Sequence, residues 1–225
     1  MDVEPLSFAT VKTTLPTIPL PPHASREPVV TERLILRPVS PDDLQALHAL
    51  RTQPSVMKWS AAGRIDADLE ETRARLAQDL PPHDVGNFNV SICLRSTGQW
   101  IGIGGCKKPR GELGWPEIGY MLLEDFWGSG YGTEFLLAFL GAWWSLPRSE
   151  CEISVEKASV VERSTVGDDD VVVEELITAV TAEDNGPSQK MLRKIGFEKF
   201  KVWEEQDGEN QTIVLVGYSM HRPKQ

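Results

Sequence analysis

The stretch GYMLLEDFWGSGYGTEFLLAFLGAWW, Gly119–Trp144, decides the fold. Gly128, Gly130 and Gly132 stand two apart, directly before an apolar run that reads as a helix over Thr133–Trp144. Glycine lets the backbone turn tightly and lets a ligand reach the amides with no Cβ in between. The first amides of a helix have no intrahelical acceptor and lie at the positive end of its dipole. Strand, glycine loop and helix start therefore point to a socket for a phosphate or diphosphate, with tight packing as the alternative. It is not a Walker A loop, because no Lys-Ser/Thr pair follows, and the dinucleotide fingerprint lacks its third glycine at the required offset. The helix is apolar almost all round, which predicts cover on most of its sides.

Working outward, Glu117–Leu123 reads as a strand, preceded by Asn87–Leu94 and Gln99–Lys107 around a hairpin turn at Ser96-Thr97-Gly98. Phe88, Val90 and Ile92 alternate onto one face of the first of these. Further upstream, Thr31–Arg37 alternates as a strand. Ser40-Pro41-Asp42-Asp43 then opens a helix carrying Leu44, Leu47, His48 and Arg51. A second helix is predicted over Asp66–Gln78. Downstream come a strand at Glu175–Ala182, a helix at Asn185–Ile195 stopped by Gly196, and strands at Phe197–Glu205 and Thr212–Met220 around Asp207-Gly208. This order is that of a mixed α/β single domain over residues 29–225. Residues 1–28, with Pro5, Pro16, Pro19, Pro21, Pro22 and Pro28, are expected to be a flexible arm. Residues 145–173, with Glu150, Glu152, Glu156, Glu162 and Asp168-Asp169-Asp170, are expected to be an irregular acidic insertion.

Composition narrows the function. The 225 residues carry a formal charge of −10, a field that repels nucleic acid and anionic membrane and mildly favours cationic ligands such as amines. The longest apolar run, Phe135–Trp144, is about half the length of a membrane-spanning helix. The N-terminus lacks the basic start and apolar core of a secretory signal, so a cytoplasmic location is expected. Three cysteines, Cys93, Cys106 and Cys151, lack metal-ligand spacing, so neither a metal site nor a disulfide framework is expected. Asn185 and Ser188, three apart, share a face at the start of the late helix and read from spacing as cap and first-turn residue.

These two segments together resemble the GNAT superfamily of acetyl-CoA-dependent N-acetyltransferases, and more closely its RimJ/RimL-like branch. Glu117, Ile118, Gly119 and Tyr120 match its strand, and Trp127, Gly128, Gly130, Tyr131, Gly132, Thr133 and Glu134 its loop and helix start. Asn185, Ser188, Leu192, Lys194, Gly196 and Phe197 match its later element, and TERLILRPVSPDDLQAL resembles its opening. The resemblance covers about residues 29–220 and fails over the arm and the insertion. It implies a central twisted, mostly antiparallel sheet of about seven strands with a splayed pair, flanked by about four helices.

It also implies a chemistry. Coenzyme A enters between the splayed strands, with pantetheine along the backbone of Met121, Leu122 and Leu123. The diphosphate lies on the loop of Trp127, Gly128, Ser129, Gly130, Tyr131, Gly132 and Thr133, with Asn185 and Ser188 as further contacts. Acetyl transfer needs a neutral amine: an α-amine near pKa about 8 is partly neutral at pH 7, whereas a lysine-like amine near about 10.4 needs a base. Glu117 is the candidate base, through water, and Ser188 the candidate acid, because Leu192 stands where many relatives have a tyrosine. Positioning of two substrates is the remaining contribution. The other candidates are weaker: His48 and His83 as bases, Cys106 as an acyl carrier, and Trp59 and Trp115 as aromatic holders of an amine. The partners implied are acetyl-CoA and a primary amine, from a protein N-terminus or a small molecule, on a monomer or homodimer. A non-catalytic coenzyme A sensor or scaffold is the alternative, and a nucleotide-binding protein suffers from the absent lysine.

Overall fold

In the computed structural model, which describes residues 3–160, 171–206 and 212–223, the strands are β1 (Phe8–Pro16), β2 (Val29–Val30), β3 (Leu34–Pro38), β4 (Phe88–Leu94), β5 (Trp100–Lys108), β6 (Glu117–Leu122), β7 (Arg148–Glu156), β8 (Leu176–Ala182), β9 (Glu198–Gln206) and β10 (Thr212–His221). The α-helices are α1 (Leu44–Arg51), α2 (Pro54–Met57), α3 (Leu69–Ala77), α4 (Tyr131–Ser145) and α5 (Gly186–Lys194). The result is a mixed α/β fold whose strands are mostly antiparallel. The chain divides into two compact units, one of Ile18–Lys107 and Gly119–Ser145, the other of Met1–Thr17, Lys108–Ile118 and Leu146–Gln225.

The first unit holds the strand order β2-β3-β4-β5-β6. Strand β4 is buried on both faces, not on the one that alternation suggested. On one side Cys93 joins a core cluster with Leu44, Leu47 and Leu50 of α1, and on the other Phe88 meets the rings of Phe139 and Trp143 on α4. Helix α4 can approach because Gly104 on β5 has no side chain; a Cβ there would lie 2.6 Å from the Phe135 ring. Helix α4 buries Phe135, Leu136, Phe139, Leu140 and Trp143 and leaves one side open, where Leu137 is 56% exposed. The helix start at Ser40 carries a capping box with Asp43, then one 3-10 turn before α1. Helix α3 begins at Leu69, capped by Asp68, later than expected. Asp66 is instead drawn inward by Arg51, in a buried pair at 2.7 Å.

The second unit holds β6-β8-β10-β9 and the separate pair β1-β7. This pair corrects two expectations. Residues 8–16 of the expected arm and residues 148–156 of the expected irregular insertion form one antiparallel ribbon, in register from Phe8↔Glu156 to Pro16↔Arg148. The physical cause is a period-two pattern: Val11, Thr13 and Leu15 on one strand and Ile153 and Val155 on the other turn to a core with Trp115 and Leu176. Glu156, wholly buried, is met by the Ser7 amide at 2.7 Å and by Lys201 at 3.2 Å. The expected acidic run Asp168-Asp169-Asp170 and the turn at Asp207-Gly208 lie outside the described residues.

Candidate active site

The glycine loop is exposed from Trp127 through Gly130, and two of its glycines need their freedom: φ is +71° at Gly128 and +84° at Gly130. The Gly130 carbonyl accepts the first helical bond, from Glu134 N at 3.1 Å. Helix α4 thus starts two residues earlier than expected, and Tyr131, Gly132 and Thr133 form its first turn, where amides lack intrahelical acceptors. A Cβ on Gly128 would meet nothing within 4 Å. The loop therefore presents open backbone at the positive end of a fifteen-residue helix, the arrangement that binds diphosphate. Trp127 closes the loop onto β6, its indole Nε1 donating to the Leu122 carbonyl at 2.8 Å.

Just past the end of β6, the Leu123 amide donates to Ile101 O at 2.9 Å and the Leu123 carbonyl accepts from Phe126 N at 3.0 Å. Of the three residues expected along a pantetheine arm, Leu123 is thus already engaged on both backbone groups. Backbone groups of successive strand residues point to opposite sides, so the Leu122 amide faces away from β5.

Glu117, at the other end of β6, is half-buried. Its Oε2 accepts from the Glu112 amide at 3.3 Å. Burial pushes its carboxyl above the usual carboxylate range and Glu205 adds to this, while the Glu112 amide and Lys108 pull it back. A carboxyl tuned upward is a better proton acceptor near neutrality than an open one. Its strand meets β8 in parallel at Glu117↔Thr178, where Thr178 N donates to Pro116 O at 2.8 Å.

Two acids that sequence reasoning missed stand near Glu117. Trp203 Nε1 donates to Glu112 Oε1 at 3.0 Å and to Glu205 Oε1 at 3.2 Å, gathering both carboxyls on one indole. Nothing in the spacing of residues 112 and 205 signals this, because the turn before β6 and the end of β9 meet only in the fold. Burial first, then the hydrogen bond and charge of Glu205, push the Glu112 carboxyl from 4.5 up to about 8. The sign follows: between about pH 4.5 and about pH 8 the folded chain holds a proton that the unfolded chain has lost, so stability falls as pH rises through that window. Glu112→Gln is expected to flatten this slope, read by denaturant unfolding at about pH 5 and about pH 8. An unchanged slope would contradict the raised Glu112 carboxyl.

Asn185 caps α5, its Oδ1 accepting from Ser188 N at 3.2 Å, and Ser188 is half-buried in the first turn. The helix is fastened beneath by Gln189, whose amide donates to Glu183 O at 2.6 Å and accepts from the buried Tyr218 hydroxyl at 3.1 Å. Leu192 is 1% exposed and belongs to the core.

The weaker candidates separate clearly. Trp115 is wholly buried and donates to Ser159 Oγ at 2.8 Å, so it cannot hold an amine. Cys106 is also wholly buried. His48 bonds Thr72 between α1 and α3 at 2.8 Å, as a packing residue does, and His83 is exposed on a 3-10 turn. Lys58 lies over the Trp59 ring at 4.4 Å. No group of three or more metal-ligating side chains that could hold an ion occurs among the described residues, and no described helix is long and apolar enough to cross a membrane.

Comparison with known proteins shows what the chain and its fold are similar to. The chain is 26% identical over 175 residues to the uncharacterized N-acetyltransferase p20 of Bacillus licheniformis, covering 77% of this chain and 83% of that protein. Its fold is similar to that of an acetyltransferase (GNAT family) from Bacillus anthracis, with a TM-score of 0.65 and 20% identity over 88% of this chain and 100% of the other. It is also similar to spermidine N-acetyltransferase from Vibrio cholerae in complex with CoA and spermine, at a TM-score of 0.63 and 12% identity over 85% of this chain and 97% of that one. The acetyltransferase (GNAT) domain family matches residues 33–198, which contain the glycine loop, Glu117 and α5, and the chain belongs to that family of acyltransferases.

Proposed function

We propose that this chain transfers an acetyl group from acetyl-CoA to a primary amine by direct attack in a ternary complex. The observation that carries the reading is the exposed loop Gly128–Gly130, with positive φ at both glycines, set on the first turn of α4. Its amides suit a diphosphate, and the Leu122 amide, on the side of β6 away from β5, suits a pantetheine carbonyl. Acetyl-CoA supplies the activated acetyl group. Glu117, raised by burial, accepts the ammonium proton through water, and Ser188 donates one to the departing thiolate. Asn185 shapes the start of α5, as its cap geometry supports.

The motifs favour the RimJ/RimL-like branch, so the acceptor is a protein N-terminus or a small-molecule amine. The structural neighbour bound to spermine supports the second, as does the net charge of −10. One observation favours a non-catalytic coenzyme A sensor instead: Leu192, buried in the core, brings no proton donor.

Calorimetry with coenzyme A and with ATP tests the ligand. Wild-type protein is expected to bind coenzyme A and not ATP, and Gly130→Asp to weaken coenzyme A at least about 10-fold, since a carboxylate opposes the diphosphate. The residue is exposed, so the fold survives the strain of φ +84°. Unchanged affinity in the variant would remove the loop from the site.

A further inference from the structure

Glu134 poses an electrostatic problem for the loop. It lies in the first turn of α4, where its negative charge suits the helix dipole but opposes an anionic ligand on the same amides. The structure engages both of its oxygens. Oε1 accepts from the Thr31 hydroxyl at 2.6 Å and from the Arg33 amide at 2.8 Å, and Oε2 accepts from Arg33 Nε at 2.6 Å. Thr31 is itself fixed, its Oγ1 accepting from Leu34 N at 2.9 Å. Although partial burial pushes the Glu134 carboxyl up, these donors hold it below the usual carboxylate range, so it stays ionised and paired.

The same guanidinium reaches the loop twice more. Arg33 Nη1 donates to the Ser129 carbonyl at 2.9 Å, and Cζ lies 4.6 Å over the Tyr131 ring. Nη2 would stand 3.3 Å from a Cβ on Gly130. One side chain from the β2–β3 turn therefore holds the loop at its middle, at the first residue of α4 and at Glu134. This arrangement contributes little to global stability, because the Arg33 side chain is 42% exposed and exposed pairs are worth little. Its effect is local.

We propose that Arg33 is a positioning residue for coenzyme A: it neutralises Glu134 beside the anion-binding amides and holds the Ser129–Tyr131 backbone in its receiving conformation. This rests on the reading of the loop as the coenzyme A diphosphate site. Truncating Arg33 leaves the Glu134 charge with no cationic partner beside the loop, although its Oε1 keeps the Thr31 hydroxyl and the residue-33 amide, and it frees the Ser129 carbonyl. Removing the Glu134 charge as well takes away the first of these faults.

Coenzyme A affinity is measured by calorimetry on wild type, Arg33→Ala and Arg33→Ala with Glu134→Gln, with acetyl-CoA steady-state kinetics alongside. The single variant is expected to lose about 10-fold or more in affinity, and the double variant to regain at least about threefold of it. The KM for acetyl-CoA rises while kcat at saturation stays within about twofold, since no reacting atom is touched. Wild-type affinity in Arg33→Ala, a double variant no tighter than the single, or a fall in kcat with KM unchanged would each overturn the proposal. Absence of coenzyme A binding by the wild type would instead overturn the underlying reading of the loop.

Discussion

Glu117→Gln is expected to lower turnover by about 10²-fold or more at neutral pH with coenzyme A affinity nearly unchanged. The amide is isosteric and still accepts from the Glu112 amide, so β6 keeps its local hydrogen bond while the proton acceptor is gone. The pH profile carries the sign. Burial raises the Glu117 carboxyl, so activity should rise with pH along an acid limb lying above the ordinary carboxylate range. In the variant that limb disappears, and the deficit shrinks at high pH, where the amine is neutral without help. A deficit constant with pH would make Glu117 a binder of the ammonium or an orienter of the strand. No deficit would leave the rate to positioning alone.

Deleting residues 1–17 is expected to lower the melting temperature by roughly 10 °C or more. The deletion removes β1, whose Val11 and Leu15 are 2% and 7% exposed, and burial of such side chains is worth about 1.5–3 kcal/mol each. It also uncovers Ile153 and Val155 on β7 and takes the Ser7 amide from the buried Glu156 carboxylate. Against a total stability of about 5–15 kcal/mol, that loss is large. Val11→Asp reads the same core with the chain length kept. Differential scanning calorimetry showing both variants within a degree or two of wild type would mean the ribbon is dispensable to the fold.

The contrast between these two regions shows what the sequence made legible. The loop and α4 could be read because their chemistry is local: glycines at fixed spacing, then a helix start, all within twenty residues or so. The capping box at Ser40 and the cap at Asn185 are local in the same way. The β1–β7 ribbon joins residues some 140 positions apart, from Phe8↔Glu156 inward, and no local signal announces the partner. Its alternation was present in Val11, Thr13 and Leu15, but a threonine in the buried row and prolines on one side masked it. Acids did the same on β7, where Glu150 and Glu152 mark the outer face and not an irregular segment. Trp115 was misplaced for a related reason: a tryptophan among Gly111, Gly114 and Pro116 reads as a loop aromatic until the fold supplies Ser159 as its partner. Glu112, Glu205 and the Arg33–Glu134 pair meet their partners only in three dimensions, so motif reading did not single them out.

The central claim is acetyl transfer to an amine, and release of thiol tests it most directly. The protein is mixed with acetyl-CoA and a panel of primary amines, including peptide N-termini and polyamines, while free thiol is followed with a colour reagent and products by mass spectrometry. Thiol release that requires protein, acetyl-CoA and a particular amine together, matched one for one by the N-acetylated amine, is the expected result. Tight coenzyme A binding with no thiol release above the uncatalysed rate for any amine would contradict it and leave the chain a coenzyme A sensor.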